Sequence, residues 1–157
     1  METVKVPMES LYEVISLQLQ NGGRSTLVVT GVSMKPMLTE NRDTVLLAPI
    51  ASEPKPGDIF LYRRANGKFV LHRLIRITEE CYLFCGDNQC VLEKVTREQL
   101  LAMVVAFTRK GKSCSVDKAM YRLYVFMSTR LFFLRRTYIR LRRWVGRVQR
   151  KMQKRRK

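Results

Sequence analysis

Between Ser25 and Thr108 the chain alternates short apolar runs with turn-forming residues. Six runs, STLVVTG, DTVLLAP, DIFLYRR, KFVLHRLIRI, CYLFCG and AMVVAFT, are rich in β-branched and aromatic residues and are set apart by Pro, Gly, Asn and Asp. Runs bounded in this way form strands, so the pattern predicts an antiparallel, mostly β body. Asn66-Gly67 in RANGK lies between two of these runs. That dipeptide takes up the positive backbone angles of a tight hairpin, and it is the strongest turn signal in the chain. Ahead of the body, MESLYEVISLQLQNGG spaces Leu11, Val14, Ile15 and Leu19 on one helical face, with Ser10 near the start and Gly22 as a stop. A short amphipathic helix follows from that spacing.

Beyond the body the period changes. Met120, Tyr124, Met127, Leu131, Leu134, Tyr138, Leu141, Val145, Val148 and Met152 alternate steps of four and three. The stripe predicts one long amphipathic helix of about 50 Å at ~1.5 Å per residue. Leu123, Phe126, Phe132, Phe133 and Trp144 widen its apolar face. The expected fold is therefore mainly β with flanking helices, an α+β chain. It divides into an N-terminal helix (residues 1–23), a β-rich core (24–115) and a helical tail (116–157). There is no internal repeat at solenoid spacing, and 157 residues suit one core with an appendage.

Charge divides the chain at nearly the same place. Residues 1–117 hold 15 basic and 13 acidic residues, whereas residues 118–157 hold 15 basic and none acidic. A basic amphipathic helix fits an anionic membrane surface, where its apolar face is buried and its long cationic stems reach the phosphates. An acidic protein partner is the next alternative. A homodimeric coiled coil would bring the like charges together, and the continuous apolar stripe argues against nucleic acid. No apolar run reaches the roughly 18 residues needed to span a bilayer, and Met1 to Leu19 mixes Glu2, Lys5, Glu9 and Glu13 among its apolar residues. The expectation is a cytoplasmic protein associated peripherally with the membrane.

Cys81 and Cys85 would stand about 13 Å apart along a straight strand at ~3.3 Å per residue, too far to pair. Cys85 and Cys90 flank GDNQ and could face each other across a hairpin. Reduced thiols are expected in a chain without a secretion signal.

Candidate chemistry centres on Ser33, set between Gly31 and Pro36 in VVTGVSMKPML. A serine hydroxyl is a poor nucleophile at neutral pH and needs a base for its proton and a donor for the developing oxyanion. His72 is the only histidine. With an ordinary pKa near ~6.5 an imidazole can serve as that base, and a carboxylate can fix its tautomer. Each residue also has a plainer reading, His72 as a strand-face residue beside Val70 and Leu74, and Asp87 as a turn residue in Gly-Asp-Asn.

The order of motifs adds to this. Ser33-Met34-x-Pro36, Asp43-x-Val45, KPGDIFLY from Lys55 to Tyr62, His72-Arg73 and Gly86-Asp87-Asn88 follow one another along the chain. The series resembles the serine peptidase superfamily of type I signal peptidases and self-cleaving repressors, over about residues 24–112. It is most similar to the histidine-using branch of the endoplasmic reticulum and archaea, the bacterial branch having lysine at the place of His72. The resemblance implies a β-rich peptidase core with Ser33 as nucleophile, His72 as general base, Asp87 as orienting carboxylate and the backbone N–H of Ser33 as oxyanion donor. It implies no metal or cofactor. The substrate would be a leader, signal or propeptide, bound extended along a strand edge and cut after a small residue.

Two departures stand out: Gly31 occupies the place where many bacterial relatives supply a second oxyanion hydroxyl, with Thr30 a weak substitute, and Arg42 precedes Asp43 where the family often has Gly. Asp43 and Asp58 read as structural turn residues, and Lys35 as a poor base because adjacent strand residues point to opposite faces. The alternative is a catalytically idle peptide-binding or membrane-docking module on the same fold. A self-cleaving regulator would need a helix-turn-helix ahead of the core, and none is present in the sequence.

Overall fold

The computed structural model describes residues 8–116 and 119–155. Helix α1 (Met8–Gln20) leads into strands β1 (Ser25–Val28), β2 (Thr44–Ala48), β3 (Ile59–Arg63), β4 (Phe69–Ile77), β5 (Tyr82–Cys85) and β6 (Glu93–Val95). Then come β7 (Leu100–Arg109), β8 (Lys112–Ser115) and helices α2 (Ala119–Arg130) and α3 (Phe132–Arg155). The chain is thus mostly antiparallel sheet with three helices, an α+β class, and all six predicted strands are present. The Asn66-Gly67 hairpin joins β3 to β4, with Arg64 N–H donating to the Lys68 carbonyl at 2.9 Å and Gly67 at φ +81°.

The strands form one sheet in the order β1-β2-β7-β3-β4-β5-β6, with β8 also on β7. The late strand β7 sits between β2 and β3. Register shifts at Leu46/Leu47, Leu61/Tyr62 and Leu74/Arg76 bend the ladder, because each bulge increases the local twist. Two apolar clusters fill the body. Leu27, Val45, Leu47, Ile59, Leu61 and Val104 belong to the first, and Phe60, Tyr62, Leu74, Phe84 and Val95 to the second.

Helix α1 docks on the first cluster through Ile15 and Leu19, which are buried, and through Tyr12, whose ring lies 4.7 Å from that of Phe69. Val14, expected on this face, is 56% exposed. The seated face is therefore Tyr12, Ile15 and Leu19, an i, i+3, i+7 set turned away from Val14. The side chains of Leu11, Val148 and Met152 lie outside the described residues.

The predicted single tail helix is interrupted at Leu131. Backbone bonds from Leu131 N–H to Met127 (3.2 Å) and from Arg135 N–H to Leu131 (3.0 Å) carry across the interruption. The two helices can thereby follow the body, α2 resting Val125 on Gly57 and α3 bringing Arg135 to Asp87. A side-chain carbon on Gly57 would lie 2.3 Å from Val125 Cγ1, and this residue holds φ +107°. Glycine is needed there on both counts. Among the described residues no helix is long and apolar enough to cross a membrane.

Candidate active site

Ser33 lies in the irregular segment between β1 and β2, half-buried. Its neighbours Met34, Met37 and Leu38 are buried in the first cluster and anchor the loop. On its other side Asn88 N–H donates to the Ser33 carbonyl at 2.7 Å, and Asn88 Nδ2 reaches the Val32 carbonyl at 3.3 Å. Gly86-Asp87-Asn88 therefore clamps the serine loop from across the sheet. Among the described residues no backbone acceptor meets the Ser33 N–H.

His72 sits on β4 opposite Phe60 of β3 and is 1% exposed. A carbon placed on Gly86 would stand 3.0 Å from Ser33 Cβ and 3.1 Å from His72 Nε2. The serine and the imidazole thus approach one point, and the missing side chain of Gly86 leaves the gap between them open.

The other ring nitrogen defines the proton arrangement. His72 Nδ1 is 3.0 Å from the Tyr62 hydroxyl, and that hydroxyl is 2.8 Å from Glu93 Oε2. A carboxylate only accepts, so the single Tyr62 proton goes to Glu93 and the phenol oxygen accepts from Nδ1–H. Nε2 is left with its lone pair, beside Gly86. Burial works against the charge on Glu93, yet hydrogen bonds from Arg64 and Tyr62 hold it below the usual carboxylate range. Burial, with Glu93 alongside, keeps Tyr62 a phenol by raising its pKa. Burial pushes His72 down to about 4, with Arg64 adding to the shift and Glu93 and Asp87 offsetting part of it; Glu93 Oε1 lies 3.7 Å from Nδ1. At physiological pH the imidazole is neutral and able to take a proton.

Asp87, expected to orient His72, is held elsewhere. Arg73 Nε and Nη2 each donate to its carboxylate at 2.9 Å, Tyr124 donates at 3.0 Å and Arg135 at 3.2 Å. Neither Asp87 nor Arg73 has an exposed side chain. Burial opposes the charge on Asp87, but Arg73 outweighs it and the carboxyl stays below its ordinary range. Arg73 Nη1 also donates to the Gly57 carbonyl at 2.7 Å and to Tyr121 at 3.1 Å. Ser33 and His72 both approach Gly86, and the partner of His72 Nδ1 is Tyr62, bonded to Glu93, and not Asp87. The physical reason is strand alternation: His72 and Arg73 are adjacent on β4 and face opposite ways, and Asp87 lies on the side of Arg73.

Asp43 and Asp58 have the structural settings expected of them. Asp43 is buried and accepts from Thr39 N–H, Arg42 and Lys110 N–H, and its Arg42 partner holds it well below the usual carboxylate range. Asp58 accepts from Lys55 N–H at 2.8 Å. Lys35 is taken up by Glu40 at 2.9 Å. All four cysteines are free, and burial pushes the Cys85 thiol up to about 11, so it is not a thiolate at neutral pH. Among the described residues no group of three or more His, Cys, Asp or Glu could hold a metal ion.

Tyr62 had a signal in the sequence: with the Asn-Gly hairpin fixing the register, Tyr62 and His72 become diagonal neighbours on one sheet face. Glu93 had none, because β6 is three residues long and polar. No family model matches this chain, and no curated protein matches it.

Proposed function

We propose that the protein is a serine endopeptidase of signal-peptidase type that works by acyl transfer. The observation that supports this is the approach of Ser33 Cβ and His72 Nε2 to the same open point at Gly86, with Nδ1–H held by Tyr62, itself bonded to Glu93. Ser33 attacks the scissile carbonyl while Nε2 takes its proton. The Ser33 N–H holds the oxyanion, and Glu93 offsets the charge of the imidazolium. His72 then gives the proton to the leaving amine, and water attacks the acyl ester by the reverse path. The substrate is a leader, signal or propeptide, cut on the cytoplasmic side by an enzyme at the membrane surface rather than across it.

A serine-directed covalent probe tests the reaction class. Labelling should map to Ser33 and vanish in Ser33→Ala; a folded wild-type protein that neither labels nor cleaves peptides would instead be an idle binding module.

Two further outcomes follow from the geometry. For the free enzyme, kcat/KM should hold steady down to about pH 5 and fall only toward the value of about 4 to which burial pushes His72. An acid limb near ~6.5, the ordinary imidazole value, would mean that burial does not depress His72 in the working enzyme. No acid limb above about pH 4, together with full activity of His72→Ala, would remove it as the base. The same burial makes stability fall with pH in that window, since the unfolded chain binds the proton first: the contribution is full above ~6.5 and is lost as pH drops toward about 4. Separately, Gly86→Ala would set a methyl group 2.7 Å from the Ser33 carbonyl oxygen and between the two catalytic side chains. Overpacking of this kind costs about 1–3 kcal/mol. The variant should fold, with a lowered melting point and peptide cleavage reduced at least ~10²-fold, because misplaced reacting groups lose their proximity advantage. Unchanged kinetics would show that the two side chains do not work as a pair.

A further inference from the structure

Helices α2 and α3 each have a side committed to the body and an opposite side that is not. The committed side carries Tyr121, whose ring is 5.3 Å from that of Phe107, then Val125 on Gly57, Arg135 on Asp87 and buried Ile139. The other side carries Met120 and Leu123 on α2 and Leu141 and Trp144 on α3, with exposed Phe126 and Phe133 at its border along the cleft to the sheet. Taken at ~100° per residue, the exposed set forms one stripe through both helices, turned from the body-facing set. Large apolar side chains concentrated in this way mark a docking surface.

Charge selects the occupant. Residues 118–157 contain 15 basic and no acidic residues, so a second copy would set arginine against arginine. We propose that the exposed stripe of α2 and α3 docks on an anionic lipid bilayer, its apolar side chains entering the acyl boundary and the flanking arginines meeting lipid phosphates. This rests on the peripheral location proposed above and names its partner. Because Tyr124 and Arg135 of the same helices grip Asp87, next to Gly86, docking also fixes the Ser33 site relative to the membrane surface.

Trp144 is the only tryptophan and is 56% exposed, so it reports on insertion directly. The full chain is mixed with phosphatidylcholine vesicles, with or without about 30% phosphatidylglycerol, and followed by co-sedimentation and Trp144 emission. Expected are a blue shift and sedimentation with the anionic vesicles only, both reversed by high salt. Phe133→Glu with Leu141→Glu should weaken vesicle binding at least ~10-fold while leaving probe labelling at Ser33 intact, and Ser33→Ala should bind vesicles normally. Failure of docking is in this way separate from failure of the peptidase reading. An unshifted Trp144 with anionic vesicles overturns the proposal, as does binding that survives the double substitution. So does self-association that the double substitution abolishes, which would make the occupant a second copy.

Discussion

His72→Ala is expected to leave a folded protein whose peptide cleavage is reduced by ~10²-fold or more, the usual loss when a positioned general base is removed. The loss should be large here because the charged groups nearest Ser33 are already engaged elsewhere. Lys35 is paired with Glu40, and Asp87 is bound to Arg73. The fold should survive, since the Tyr62 hydroxyl keeps its bond to Glu93 and the lost imidazole leaves a small void. Circular dichroism and kcat/KM on the same preparation decide the matter; wild-type turnover by a folded His72→Ala protein would sink the Ser33–His72 mechanism.

Asp87→Ala should act on the fold, and heavily. It strips the counter-charge from Arg73, a guanidinium with no exposed surface, and breaking a buried pair by removing one partner costs about 3–5 kcal/mol. Against a usual domain stability of about 5–15 kcal/mol, that is a large share. The urea midpoint should drop sharply, while the fraction still folded at low temperature keeps most of its kcat/KM, because His72 retains Tyr62 and Glu93. Should the variant instead unfold like wild type and lose cleavage by ~10²-fold, Asp87 would regain the catalytic role that its motif suggests.

The contrast between these residues shows what the sequence could reveal. The strands were legible because β-branched runs between Gly, Pro and Asn admit few other readings, and the Asn-Gly turn fixed the register of β3 on β4. Strands β6 and β8, Glu-Lys-Val and Lys-Ser-Cys-Ser, carry no such pattern. They form because a neighbouring strand offers them an edge. Sequence order also could not decide whether Asp87 belongs to His72 or to Arg73, since adjacent strand residues face opposite sides and only the path of the Gly86 turn selects one. In the tail, the apolar stripe was visible but the seating of the other face was not. That face mixes Tyr121, Tyr124, Val125, Ser128, Arg135 and Ile139; Tyr121, Tyr124 and Arg135 are half-buried against Asp87 and Arg73, and buried Ser128 turns its hydroxyl to the Val125 carbonyl.

The place of β7 between β2 and β3 governs how the molecule is made. Without it the sheet is two separate pieces, β1 with β2 beside Ser33, and β3 to β6 holding His72 and Glu93. The second piece assembles from neighbouring hairpins as it leaves the ribosome. The first must wait for Leu100–Arg109 to join the two, a long-range closure of the slow kind. Arg73 and Asp87 wait longer still for their tyrosine and arginine partners on α2 and α3. A chain that has not yet placed β7 therefore keeps Ser33 and His72 on unconnected pieces, and the proposed site forms only once Leu100–Arg109 has joined them.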